Sequence, residues 1–251
     1  MRDVSSRVSP WFLALLAVTV LGGFLAASAT TRPVLTTGIV LLVLAGWAVS
    51  LCLHEFGHAY TAYRGGDRSV RAKGYLTLDI RRYADLGLSL VLPVFFLLLG
   101  GIPLPGGAVW IDHGAIRSRA VRSLVSLAGP AANLIVGALL TAAVALVPMP
   151  IGLAVGLSAL ALIQVLAFVL NILPVPGLDG FGVLEPYLPV SALRLAARVR
   201  PWAPIALFVL ILGVPGAASA LFALGALVFG AIGGDTSLAA TGYSELFFWR
   251  R

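Results

Sequence analysis

Long apolar runs separated by short polar interruptions dominate the chain. Runs at 11–31, 34–63, 124–147 and 151–173 each have the length of a membrane helix, which needs about 20 apolar residues. Two shorter runs, 201–214 and 217–232, are joined by GVPG and predict a tight C-terminal helical hairpin over 201–232. Between 64 and 85 the pattern changes. Leu76, Leu78 and Ile80 alternate with Thr77, Asp79 and Arg81, the period of a half-buried strand. The segment therefore predicts a small interfacial β-hairpin turning at Gly74, whose edge could accept an extended peptide as an added strand. The run at 86–111 is apolar enough to enter a bilayer, but Pro93, Pro103, Pro105 and the pairs Gly100-Gly101 and Gly106-Gly107 break it.

Composition fixes the class. The chain is 60% hydrophobic and 11% charged, against about 25% charged residues in soluble domains. These features predict an all-α integral membrane protein forming one domain over 1–251. The lone Cys52 excludes an intrachain disulfide framework. The net charge of +7 comes from basic residues in short loops, which points to orientation in a membrane rather than to nucleic acid. Arg2 and Arg7 put the N-terminus inside, and Arg64, Arg68, Arg71 and Lys73 put the end of the second run inside too. If 86–111 crossed once, Arg117, Arg119 and Arg122 would lie outside, so a re-entrant segment is expected there. The resulting topology has six transmembrane helices with both termini cytoplasmic. A basic flank before the first run and AASAT after it also fit a cleaved signal peptide. Arginine far outnumbers lysine, and Ala, Gly and Val are abundant, which fits a bacterial plasma-membrane protein.

Within the second run, WAVSLCLHEFGHAYTAY places ionisable groups in apolar surroundings. Such groups are costly at membrane depth and mark function. His54, Glu55 and His58 form H-E-x-x-H. Residues i and i+4 share a helix face, so both imidazoles can reach one metal ion, and Glu55 stands beside it to act on water. A hydrolytic zinc site takes three protein ligands and leaves a fourth position for water. A third ligand must therefore come from elsewhere in the chain. Most acidic residues lie in polar ends or loops. Asp112 and His113, after the re-entrant run, are expected to face water, with His113 kept as a reserve ligand. Glu185 is expected to pair with an arginine. Asp179 differs, because it lies in NILPVPGLDG straight after an apolar run. Pro174 and Pro176 forbid continued helix there, and non-helical backbone at membrane depth belongs inside protein or beside a cavity.

HEFGH in a membrane helix, followed by N-x-x-P-x-P-x-L-D-G and with AGPAAN (128–133) between them, resembles the site-2 protease family of intramembrane zinc metalloproteases. The match runs from about residue 33 to 187 and keeps the family's motif order. It lies with the compact branch, with no inserted PDZ module and no CBS pair. The resemblance implies one zinc ion per chain, with His54, His58 and Asp179 as ligands and Glu55 as general base. It implies that Asn171 stabilises the oxyanion or holds substrate, and that Asn133, in a G-P-x-x-N segment opening a core helix, contacts substrate or braces the site. The implied partners are a transmembrane protein substrate, the lipid bilayer and a regulatory membrane protein. Two other classes stay open: a non-proteolytic zinc-holding protein and an inactive scaffold. A transporter would show polar residues along several spans, whereas here Gln164 stands alone outside the motifs.

Overall fold

The structure, a computed structural model, describes residues 8–83 and 109–250. Its main helices are α1 (Pro10–Ser28), α2 (Arg32–Gly65), α3 (Arg119–Leu146), α4 (Ile151–Asn171), α5 (Asp179–Leu184), α6 (Val190–Val199), α7 (Ala203–Gly213), α8 (Ala217–Ala231) and α9 (Thr236–Glu245). Local chemistry sets their ends. The Ser9 hydroxyl accepts from the Trp11 N–H, with Pro10 opening α1. Ser118 caps α3 in the same way through Val121 N–H. Asp235 caps α9 through the N–H groups of Ser237 and Leu238.

Four helices, α1 to α4, are long and apolar enough to cross a membrane. Helix α4 sits at the centre, buried along most of its length. By contrast, α1 and α3 turn large apolar side chains outward, among them Val20, Phe24, Ile135 and Leu139. Water would penalise such a surface, whereas lipid tails accept it. Tight crossings hold the bundle together. Gly38 meets α1 so closely that a Cβ there would stand 2.5 Å from the Ala26 nitrogen. Gly152 and Gly156 of α4 pack against Ala26 of α1 and Leu42 of α2.

The 34 residues of α2 span roughly 51 Å, so its two ends define two faces of the bundle. At the Gly65 end, Ser9 N–H donates to Thr77 O and Arg117 N–H donates to Gly65 O. The Lys73 ammonium donates to Trp110 O there, and Asp112 N–H donates to Asp67. At the Arg32 end, Thr36 Oγ1 donates to Glu245 at 2.6 Å and Arg32 stands 3.9 Å from the same carboxylate. Phe248 lines a groove with Arg32 and Pro33.

Several sequence expectations change. No strand occurs among the described residues, and the expected β-hairpin is instead a series of helical turns, Ser69–Ala72, Tyr75–Thr77 and Ile80–Tyr83. Gly74 and Leu78 adopt left-handed backbone, at φ 78° and 57°, which breaks the extended path that alternation requires. Val70, Tyr75, Ile80 and Tyr83 are buried together. They are spaced for turns rather than for one pleated face.

Six spans are not confirmed among the described residues. Helices α7 and α8 are 11 and 15 residues long, too short to cross singly. They meet at 97°, and the described residues hold five spans if the bent pair crosses once. The GVPG junction is therefore a right-angled break and not a tight hairpin. Near the two ends of the described chain, Ser9 lies at the Gly65 end of α2 and Phe248 at the Arg32 end. Finally, the G-P-x-x-N segment does not open its helix, because Pro130 lies inside α3. The re-entrant prediction for 86–111 falls mainly outside the described residues. Glu185 does pair with an arginine, Arg200, at 2.6 Å.

Candidate metal centre

Helix periodicity brings His54 and His58 to one face of α2, both 6% exposed. Each ring is anchored through Nδ1. His54 Nδ1 meets Asn133 Oδ1 at 2.6 Å, and His58 Nδ1 meets the Val125 carbonyl at 2.7 Å. A carbonyl oxygen only accepts, so His58 Nδ1 carries a proton and its Nε2 is turned toward the cavity. The two Nε2 atoms then face each other 3.1 Å apart.

Asp179 arrives from the other side of the cavity. After Asn171 the prolines end α4, and Gly177 turns the chain at φ 102°. Asp179 opens α5 with its Oδ2 3.3 Å from His54 Nε2 and its Oδ1 3.3 Å from His58 Nε2. These three residues form the one group of metal-type donors found among the described residues. His113 is exposed at the cavity wall and is not part of that group.

Glu55 lines the same cavity and is 3% exposed. The Val109 N–H donates to its carboxylate, while Oε2 has no partner among the described residues. A buried carboxylate oxygen left unpaired is costly, so the group is poised for a partner from the cavity. Asn171, also buried, lines the cavity with Trp47, Leu51 and Ser126. Asn133 is placed behind His54, bracing it, and also donates its Nδ2 hydrogen to Gln164 Oε1 at 2.8 Å.

The AGPAAN segment has a steric role. Gly129 presses against the imidazoles: a Cβ there would overlap His58 Nε2 and stand 2.7 Å from His54 Nε2. Pro130 lacks an N–H, which frees the Ser126 carbonyl of a helical partner beside the cavity. Sequence reasoning missed Ser126, Val109 and the part played by Gln164. The one available signal was a lone amide in an otherwise apolar helix.

The "Putative zinc metalloprotease Rip2" of Mycobacterium tuberculosis (strain ATCC 25618 / H37Rv) is 47% identical to the chain, over 98% of the chain and 95% of its own length. Its namesake in Mycolicibacterium smegmatis is 44% identical over the same shares. The "Putative zinc metalloprotease YwhC" of Bacillus subtilis (strain 168) is 32% identical over 56% of the chain and 66% of its own length. The chain belongs to the site-2 protease family. No protein-family model and no solved structure matches it.

Zinc, the metal of this family of metalloproteases, fits the donor set. Ligands at 2.0–2.1 Å around a tetrahedral zinc stand about 3.3 Å apart, and the closest donor separations here are 3.1–3.3 Å.

Proposed function

We propose that this protein hydrolyses peptide bonds within or beside the membrane-spanning segments of other membrane proteins. The depth of the site carries the reading. His54, His58 and Glu55 are buried in a helix long and apolar enough to cross a membrane. His54 precedes Arg64 by ten residues, roughly 15 Å of helix. The cavity they line has a volume of about 230 Å³, too small for a helix about 10–12 Å across. A substrate span must unwind and enter as extended chain.

Zinc, held by His54, His58 and Asp179, supplies Lewis-acid chemistry, polarising a peptide carbonyl and making water nucleophilic near neutral pH. Glu55 takes a proton from the attacking water as its oxygen bonds to the carbonyl carbon. It passes that proton to the leaving nitrogen as the C–N bond breaks, giving one new carboxyl end and one new amine end. The Val109 N–H holds the carboxylate in place while Oε2 faces its work. Asn171 donates an amide hydrogen to the developing oxyanion, a contact worth about 10²–10³ in rate.

Arg64, Arg68, Arg71, Lys73, Arg117 and Arg119 gather at the Gly65 end of the bundle, so that end faces the cytoplasm of a bacterial cell. Ser9 lies with it, and α9 lies across the membrane. The partners are a transmembrane substrate and a membrane protein or prior cleavage that controls access.

The test uses proteoliposomes holding the protein and a single-span fusion substrate. Cutting inside the span is expected, lost in Glu55→Gln with about one zinc per chain retained. Cutting that persists in Glu55→Gln refutes the mechanism. Cutting confined to soluble loops refutes the intramembrane reading.

A further inference from the structure

Gln164 lies in the middle of α4, fully buried, and touches neither the metal-type donors nor the cavity wall. A leucine at this place would satisfy an apolar helix without an amide to hydrate. Its Oε1 accepts from Asn133 Nδ2 at 2.8 Å, and its Nε2 has no partner among the described residues. Asn133 in turn meets His54 Nδ1 through Oδ1 at 2.6 Å. These three side chains form a line from the centre of α4 to the metal site.

We propose that Gln164 is a positioning residue that fixes which end of the Asn133 amide faces His54, and so holds His54 in its metal-binding tautomer. This rests on the reading of His54 as a ligand.

An asparagine amide offers an acceptor on one side and donors on the other, in nearly the same shape. With Oδ1 toward His54, Nδ1 must donate and Nε2 keeps its lone pair for the metal. With the NH₂ group toward His54, Nδ1 accepts, the proton moves to Nε2, and the ring cannot bind. His58 faces no such choice, because its partner is the Val125 carbonyl, which can only accept. The two ligands thus have different safeguards. One is a backbone carbonyl of fixed polarity, and the other is a reversible amide that needs a second group to orient it. Gln164 supplies the matching acceptor: its Oε1 takes the Nδ2 hydrogen only when Oδ1 faces His54, so that arrangement leaves no Asn133 donor unpaired.

Competition with a chelator measures zinc affinity in Gln164→Met, in Asn133→Asp and in the double variant. Absorption of the cobalt-loaded proteins reports the ligand field, and unfolding of the metal-free proteins reports the fold. Gln164→Met is expected to weaken zinc by about 10- to 100-fold, the usual range for partners behind a ligand, and to shift the cobalt bands. A carboxylate at position 133 has no donor end, so Asn133→Asp should hold zinc near wild-type strength. In that background Gln164→Met should cost nothing more.

An equal loss in both backgrounds would show that Gln164 acts by packing, and would overturn the proposal, as would unchanged affinity in Gln164→Met alone. If Gln164→Met does not fold, Gln164→Glu carries the test. An acceptor in the same place keeps zinc, and loss of zinc with the fold intact overturns the proposal. Zinc that binds wild type but ignores Asp179→Ala marks the separate failure of the ligand set itself.

Discussion

At Gly129 a single hydrogen in place of a methyl group lets α3 lie against both imidazoles. Gly129→Ala should drive the rings apart and abolish zinc binding while the helix content by circular dichroism stays unchanged. Normal zinc in that variant would show that α3 can retreat, and that its closeness is not what shapes the site. Glu55 makes the opposite case, because its substitution should spare the metal and remove the chemistry. Loss of a general base typically costs about 10²–10⁴ in rate, so Glu55→Gln should cut at no more than about a hundredth of the wild-type rate. At this scale the sequence was informative. H-E-x-x-H spacing and helix periodicity put His54, Glu55 and His58 together before any fold was known. Asp179 was legible only through resemblance and elimination, since no local period links it to residues more than a hundred positions earlier.

The segment between α2 and Tyr83 shows where periodicity misleads. Alternation over 76–81 has the signature of a strand, yet two left-handed residues and tertiary burial of Val70, Tyr75, Ile80 and Tyr83 make it a set of turns. Two carboxylates hold these turns. Burial opposes the charge of Asp67, but the N–H groups of Asp112 and Ser69, at 2.8 and 2.9 Å, outweigh it and keep the carboxyl below the ordinary carboxylate range. Arg81, 2.7 Å from Asp79, holds that group low as well.

A carboxyl with a lowered folded-state pKa adds stability above the unfolded value of about 3.9, and loses it as pH falls through the folded value. Proteolytic resistance of this segment should therefore hold from pH 7 to 5 and fail below about pH 4. Asp67→Asn should already be less resistant at pH 6 and should depend less on acid. An acid limb identical to wild type would mean Asp67 does not anchor the turns. The α1–α2 crossing gives a second test. Gly38→Leu would push α1 from α2 and should cost 1–3 kcal/mol or more, the usual range for overpacking, read as a lowered midpoint of thermal unfolding in detergent. Zinc affinity should change little, because the crossing lies at the far end of α2 from His54.

For the whole molecule, charge patterning puts both chain ends on one side, whereas the described segments nearest those ends lie at opposite ends of α2. Glu245 and Phe248 sit at the Arg32 end, across the bundle from Ser9. A reporter fused after residue 251 should be active on the external side, and a tag ahead of residue 8 should be protected inside intact cells. A cytoplasmic C-terminal reporter would refute the placement of α9 across the membrane from Ser9. Arginine counts alone favoured an even number of crossings, because Arg250 and Arg251 end the chain. Glu245 beside Arg32 shows that the opposite end also carries a basic residue, here paired with a carboxylate.

The sequence by itself determined the membrane class, the long helices α1 to α4 and the helix that carries H-E-x-x-H, because hydrophobic run length and the 3.6-residue period act locally. It also located the loop after Asn171, since proline cannot continue a helix. Only the tertiary structure decided the rest. The meeting of Asp179 with His54 and His58, the pressure of Gly129 on the rings, the line from Gln164 through Asn133 to His54, and the side of the bundle where the chain ends all depend on contacts between distant segments. Packing of whole helices sets such contacts, and no short stretch of sequence encodes them.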